Sequence, residues 1–316
     1  MRSPLDDITT SVEAELGRWA DTRRTTLGEL EAFDPTGWKQ LGEFGLLHGT
    51  AEGMRHVDVA AGLLSAARGG LPGPVLEALL AVSSGSVAAC TALDDQKVVT
   101  SLCPGPVGAA IVGWGAVADL VIDQTDGHVV ATGPLPSAQT ALPMAHGVCD
   151  RTEVTSDRDP TLRWLYGSAI LTGLGLGAVM MARDYVRERH QFGRPLGSFQ
   201  AVQFRLAESI MKLDAARLMV LDAARHLDEG DSVADVTSAM AWTYASDLAG
   251  TVEKHTHQVF GAMGFTEEMG LVRLSYQSVW VRTSNGGDTA VDLLLSRRKI
   301  AEGIPPSVLL DGFGAA

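Results

Sequence analysis

Apolar residues recur at roughly helical spacing along the first part of the chain. From Leu5 to Ala32 most of them fall three or four positions apart, which predicts an amphipathic helix. Together with three further predicted helices, it indicates an N-terminal helical domain over residues 1–93. Three further helices are expected, one from Pro35 to a glycine stop at Gly45, one over residues 58–68, and one from Pro74 towards Thr91.

The pattern changes at about Lys97, where short β-branched runs alternate with Gly, Pro and Asp-Gly. Two of these runs flank Asp126 and Gly127, a pair that favours a tight turn between antiparallel strands. The β-like pattern ends near Glu153. Residues 94–153 are therefore expected to form a short β domain.

Helical spacing returns over residues 154–316, with glycine or proline at each joint. Long helices with short connections predict an antiparallel four-helix bundle. The expected fold is mainly α, with an N-terminal helical domain, a reduced β domain and this C-terminal bundle. The four predicted helices are Pro160–Gln191, Phe199–Leu227, Val233–Met263 and Leu271–Glu302.

One segment of the first bundle helix is almost long enough to cross a membrane. Trp164 to Ala182 contains 19 residues without a charge. It also contains four glycines, which would let neighbouring helices approach closely, and it continues into a strongly charged stretch. We expect a buried central helix and no membrane span.

Composition narrows the function classes. The chain has 46% hydrophobic and 20% charged residues, which is typical of a globular protein. Its net charge of −13 disfavours binding to nucleic acid or anionic lipid, although a local arginine cluster could still bind a small anion. The three cysteines lack metal-ligand spacing, and the N-terminus lacks the apolar region of a signal peptide, which favours a cytoplasmic location. His255 and His257 project to different sides of a helix, so no metal site is expected.

A first candidate site lies between the first two bundle helices. Four arginines surround this predicted bend, at positions 183, 187, 189 and 194. An arginine beside a helix N-terminus favours phosphate oxygens, because the guanidinium and the free N–H groups both donate to them. The alternative is an arginine that caps the preceding helix and pairs with Glu188.

A second candidate site is the Gly-x-x-Gly turn within residues 257–266, at the end of the third bundle helix. Glycines allow the backbone to approach a flat ligand without interference from Cβ atoms. The alternative is a simple glycine C-cap.

Together these two motifs resemble those of the acyl-CoA dehydrogenases, over Arg183 to Gly270. The resemblance implies the three-part fold described above, an oligomer, and FAD at the subunit interfaces. Ala262 stands where the family usually has a second glycine, which is a mild change. The residues implied to contact the FAD pyrophosphate and adenosine are Arg189, Phe192, Gln200, Gln258, Gly261 and Gly264.

The resemblance also implies a glutamate base that removes the α proton of an acyl thioester while hydride passes to the flavin. That position falls here on Asn285 or Gly286, and the alternative family position falls on Arg163. None of these side chains can act as the base. Asp288 is a weak candidate, for which a helix N-cap is the simpler role. The predicted β domain is also about half as long as is usual in the acyl-CoA dehydrogenases.

The expected function is therefore α,β-desaturation of an acyl-CoA, such as one with a sterol side chain or a fatty acid, by a flavoprotein subunit. In lacking the base, the chain resembles the shortened, base-less subunits of heteromeric members of the family. That resemblance implies an α2β2 complex in which a full-length acyl-CoA dehydrogenase completes the FAD site and electrons pass to a separate acceptor. Two alternatives remain. One is a self-sufficient homo-oligomeric dehydrogenase with a relocated base, and the other is a non-redox protein on the same scaffold.

Overall fold

A computed structural model describes residues 4–102, 108–138, 142, 144–151 and 159–284. Five helices precede the first strand, and they share the large core with the C-terminal helices. They are α1 (Pro4–Thr25), α2 (Pro35–Glu43), α3 (His56–Ala67), α4 (Val75–Ser83) and α5 (Val87–Asp94).

Two of these helices are shorter than their apolar pattern predicts. Helix α1 ends at Thr25, and the predicted continuation is a separate 3-10 turn at Leu27–Glu29. The helix expected from Pro74 to Thr91 is broken at Gly85, whose φ is +83°. After the break the Ser86 hydroxyl accepts from the Ala89 N–H and starts α5. Apolar residues continue on both sides of this break, so their spacing alone does not reveal it.

The middle of the chain forms two small sheets. In the first, β1 (Val99–Leu102) pairs in parallel with β3 (Leu120–Asp123), and β3 pairs antiparallel with β4 (Val129–Thr132). Gly127 has a φ of +78° in the turn between β3 and β4, so the predicted hairpin is confirmed. In the second sheet, β2 (Gly108–Val112) pairs antiparallel with β5 (Gly147–Arg151).

The C-terminal helices form the predicted bundle, and the mainly α, three-part fold is confirmed. A short hairpin of β6 (His190–Gln191) and β7 (Arg194–Pro195) connects the first two helices. The four helices are α6 (Thr161–Glu188), α7 (Gln200–Asp228), α8 (Ala234–Phe260) and α9 (Leu271–Ser284).

Helix α6 lies at the centre of this arrangement and packs against α3, α7, α8 and α9. It is the single helix in the described part of the chain that is long and apolar enough to cross a membrane, and 83% of its most apolar window is buried inside the protein. Glycines let α3 approach its backbone. A Cβ atom added at Gly177 would lie 2.2 Å from the Arg68 carbonyl oxygen, and one at Gly173 would lie 2.5 Å from the Leu64 carbonyl oxygen. The structure therefore places α6 in the core.

We expect Gly177→Ala to lower the free energy of unfolding by about 1–3 kcal/mol, because backbone atoms of α3 must move to admit the methyl group. Gly250→Ala is the matched control, since its Cβ would first meet the mobile end of Arg282 at 3.4 Å. That control should be neutral or stabilising by up to about 1 kcal/mol through helix propensity. Chemical denaturation measures both variants, and equal effects would contradict the close packing of α6 on α3.

Candidate functional site

The bend between α6 and α7 is exposed and carries the first motif. Arg189 is the C-cap residue of α6, and its backbone N–H donates to the Tyr185 carbonyl oxygen. Arg189 and Gln200, the first residue of α7, are both exposed. The predicted arginine and glutamine therefore stand on either side of one surface hairpin.

Phe192 occupies a strained position at the tip of this hairpin. Residues 192 and 193 connect paired Gln191 and Arg194, and both have positive φ values of 52° and 76°. This is the backbone of a two-residue turn that favours Asn-Gly. Phe192 is nevertheless 89% exposed, and its ring meets Phe199 edge-on with centroids 6.2 Å apart. A strained and exposed aromatic ring is typical of a binding surface.

The second motif ends α8 at the same end of the bundle. Gly261 has a φ of +62°, and a Cβ atom added there would meet open space. Gln258 and Gly261 are exposed, whereas Gly264 is buried, and a Cβ at Gly264 would lie 2.9 Å from the Phe260 Cβ atom. Gly264 therefore sets the close packing of the turn, while Gln258 and Gly261 face outwards.

An aromatic stack brings the two motifs together. The rings of Tyr185 near the end of α6 and Phe260 at the end of α8 are stacked at 4.3 Å and 20°. The first motif follows Tyr185 by a few residues and the second contains Phe260, so both motifs lie at the same end of the bundle. Sequence spacing predicts the two motifs separately, but it does not reveal this stack.

The charge at this end is available to an anion. Arg187 and Arg189 are exposed, and within the described parts of the chain neither forms an ion pair. The alternative pairing of Arg189 with Glu188 is therefore not formed. Arg194 lies over the Phe199 ring, with its guanidinium carbon 4.0 Å from the centroid. Free guanidinium groups beside the start of α7 suit phosphate oxygens.

At the opposite end of α6, a buried polar cluster joins all three parts of the fold. The Trp280 indole N–H of α9 donates to the Glu77 carboxylate of α4 at 2.7 Å. Burial raises the pKa of Glu77, while the Trp280 hydrogen bond and the charge of Arg163 offset part of that effect. Arg163 also donates to the Gln124 amide oxygen at 2.6 Å. Arg163 is therefore a structural cation here.

His146 covers this cluster from the β region. Its ring stacks on Trp280 at 4.2 Å and contacts Trp114 edge-on at 6.2 Å. Desolvation lowers the pKa of His146 to about 4. A Cβ atom at Gly113 would also lie 2.7 Å from the Trp280 ring, so the space around the indole is filled.

Sequence reasoning missed Glu77, His146 and Trp280. The available signal was Glu77 itself, which is the single charged residue of the apolar helix α4. The three positions considered for the base, Asn285, Gly286 and Asp288, lie outside the described residues. The histidines of α8 hydrogen-bond in different directions, His255 to Ser209 and His257 to Ser275.

Residues 167–301 match the family model for the acyl-CoA dehydrogenase C-terminal domain. This region belongs to the acyl-CoA dehydrogenase family. The mitochondrial isobutyryl-CoA dehydrogenase of Dictyostelium discoideum is 38% identical over 119 residues, which are 38% of this chain and 29% of the relative. The match thus spans about a third of the length of the curated acyl-CoA dehydrogenases.

Solved structures extend the likeness to the whole acyl-CoA dehydrogenase fold. The ChsE4–ChsE5 complex from Mycobacterium tuberculosis matches with a TM-score of 0.73 and 20% identity, over 96% of this chain and 98% of that chain. PigA with FAD and proline matches with a TM-score of 0.72 and 16% identity, over the same shares. At these identities the likeness concerns the fold alone.

The strain at Phe192 has a measurable consequence for stability. Phe192→Asn should raise the free energy of unfolding by up to about 1 kcal/mol, because asparagine tolerates the left-handed backbone. Gly193→Ala should lower it, since alanine disfavours a φ of +76°. Urea denaturation measures both variants. A destabilised Phe192→Asn would show that the ring contributes more packing than its 89% exposure allows.

Burial of Glu77 gives a pH-dependent prediction. The pKa of Glu77 is higher in the folded state than in the unfolded state. Between these two pKa values the folded protein holds a proton that the unfolded chain has lost. The free energy of unfolding of the wild type therefore falls as pH rises through this range. Glu77→Gln keeps an acceptor for Trp280 and removes this loss. The stability of the variant relative to wild type should therefore increase with pH above the ordinary glutamate range.

The matched control for that experiment is Glu208→Gln on the surface of α7. The hydrogen bond from Lys212 lowers the pKa of Glu208, so its contribution is lost towards acid and not towards neutral pH. Unfolding curves across pH for wild type and both variants make the comparison. Parallel pH profiles for wild type and Glu77→Gln would show that Glu77 is not held protonated.

Proposed function

We propose that this chain is an acyl-CoA dehydrogenase-type flavoprotein subunit that contributes part of an FAD site completed by another subunit. The reaction would be α,β-desaturation of an acyl-CoA. The other subunit would be a full-length acyl-CoA dehydrogenase that carries the catalytic base. The family of residues 167–301 and the fold of the whole chain support the reaction class.

The exposed end of the bundle fits the diphosphate half of a dinucleotide. The Arg189 guanidinium is free of ion pairs among the described residues, and the backbone at Gly261 is open where a side chain would stand. These are the donor and the uncovered backbone that a pyrophosphate and an adenosine need. This outward-facing arginine without an ion pair, at the same end of the bundle as an open glycine turn, is the observation that carries the proposal.

FAD, when bound, supplies an acceptor for the hydride that leaves the β carbon of an acyl thioester. The role of this chain would be to hold the cofactor. Arg189 would neutralise the pyrophosphate, Gln200 and Gln258 would offer side-chain amides to the adenosine half, and Phe192 would provide an apolar contact. Gly264 would act through packing beneath the turn, since it is buried.

Three observations support a second subunit. Five of the six candidate cofactor residues are exposed, and only Gly264 is buried. The sequence positions that correspond to the family base, residue 285 or 286 and residue 163, lack a carboxylate. A heteromeric assembly, the ChsE4–ChsE5 complex, is among the structures with this fold. The chemistry of proton removal would therefore come from the partner.

The experiment is purification of the chain alone and after co-expression with a full-length acyl-CoA dehydrogenase from the same organism. We expect little flavin absorbance for the chain alone and a yellow complex with the partner. Arg189→Ala should lower the FAD affinity of that complex at least tenfold, because it removes a charge-assisted contact to phosphate. Arg225→Ala, an exposed arginine near the other end of α7, is the matched control.

The outcomes separate the alternatives. Stoichiometric FAD and acyl-CoA turnover by the chain alone would favour a self-sufficient homo-oligomeric dehydrogenase. Equal FAD affinity in the Arg189→Ala and Arg225→Ala complexes would remove Arg189 from the site. A circular dichroism spectrum of each variant shows whether a loss of flavin reflects a loss of fold.

A further inference from the structure

A second group of chemically active side chains lies in the N-terminal helical region, far along the chain from the bundle motifs. His48 and Glu52 are four residues apart around a 3-10 turn, Gly49–Glu52. Asp94 is the last residue of α5. The imidazole Nδ1 of His48 is 3.6 Å from a Glu52 carboxylate oxygen, and its Nε2 is 3.2 Å from an Asp94 carboxylate oxygen. Two separate segments thus place a carboxylate beside each ring nitrogen of one histidine.

The histidine of this group is buried and lacks a hydrogen-bond partner. His48 is 7% exposed, and neither ring nitrogen forms a hydrogen bond of acceptable geometry with any described residue. A buried polar atom without a hydrogen-bond partner destabilises the folded state. Each ring nitrogen faces a carboxylate, so an ion bound at one of these nitrogens would lie beside both an imidazole and a carboxylate.

The two carboxylates have no lysine or arginine partner among the described residues. Within the described part of the chain, the ion pairs of Glu52 and Asp94 involve His48 alone. Both carboxylates are open to solvent, at 53% and 69% exposed, so an ion can enter from that side. One ligand atom from each of the three residues lies within 4.8 Å of the others.

We propose that His48, Glu52 and Asp94 bind a divalent transition-metal ion, for which Zn²⁺ is the natural probe. An imidazole nitrogen with two carboxylates suits Zn²⁺ and its first-row neighbours, whereas Mg²⁺ and Ca²⁺ prefer sites made of oxygen ligands alone. Water would complete the coordination. The ion would connect the 3-10 turn after α2 to the end of α5, which stabilises the N-terminal region.

Cys90 lies one helical turn before Asp94 on α5 and borders the site without belonging to the three-residue group. Its environment includes both carboxylates, which together with burial raise the pKa of its thiol. A free cysteine can bind zinc by itself, so it requires its own variant. Cys90→Ser should retain zinc binding if the three proposed ligands suffice.

The test is calorimetric titration of the chain with Zn²⁺ after treatment with a chelator. Wild type should bind about one equivalent saturably, and its melting temperature should rise with Zn²⁺ but not with Mg²⁺. The double variant Glu52→Gln/Asp94→Asn replaces exposed oxygens with isosteric amides, so it should fold normally. It should bind Zn²⁺ at least tenfold more weakly and lose the thermal shift.

The matched control is His226→Gln, which disrupts an exposed histidine–carboxylate group whose imidazole already hydrogen-bonds Asp231 at 2.7 Å. Its zinc binding should equal that of wild type. Absence of saturable binding in wild type would overturn the proposal. The proposal would also be overturned if Cys90→Ser or His226→Gln lost zinc binding while Glu52→Gln/Asp94→Asn retained it. These results are independent of flavin binding and of any partner subunit.

Discussion

The close approach of α3 to the backbone of α6 is the constraint on which the rest of the protein depends. At Gly173 and Gly177 the carbonyl oxygens of α3 occupy the space of a side chain. Such contacts require two helices at short separation, and they join the N-terminal region to the C-terminal bundle. This packing explains why α6 is long and apolar enough to resemble a membrane span. A helix surrounded by α3, α7, α8 and α9 has almost no polar side.

The two ends of α6 have different surroundings, since one is exposed and the other is enclosed by polar side chains. At the C-terminal end, the Tyr185–Phe260 stack fixes the ends of α6 and α8, so the exposed hairpin and the glycine turn stand on a rigid support. At the N-terminal end, Arg163 enters a filled cluster with Gln124 and Glu77. The C-terminal end of α6 thus presents arginines without ion pairs on the surface, whereas the polar groups at its N-terminal end form internal contacts.

The sequence predicts the elements better than it predicts their partners. Periodicity finds the four bundle helices within a few residues over the described range, because apolar positions at helical spacing continue through each of them. It misses the break at Gly85, since apolar spacing continues across it, and an isolated glycine is a weak signal. Motif spacing locates Arg189 and Gln258, but the ring stack beneath them and the Glu77–Trp280 contact join residues far apart in the chain. No local pattern contains that information.

The same limit explains why metal-ligand spacing gives no signal at His48. Ligands on one helix repeat at fixed intervals and can be read from sequence, whereas Asp94 approaches His48 only because α5 folds back beside the 3-10 turn. A buried imidazole between two solvent-facing carboxylates is costly to maintain without a shared ligand. The bundle arginines present the opposite case, since an exposed guanidinium is solvated at little cost. Burial therefore makes the histidine cluster the stronger physical argument for a ligand, while the family likeness makes the arginine bend the stronger functional one.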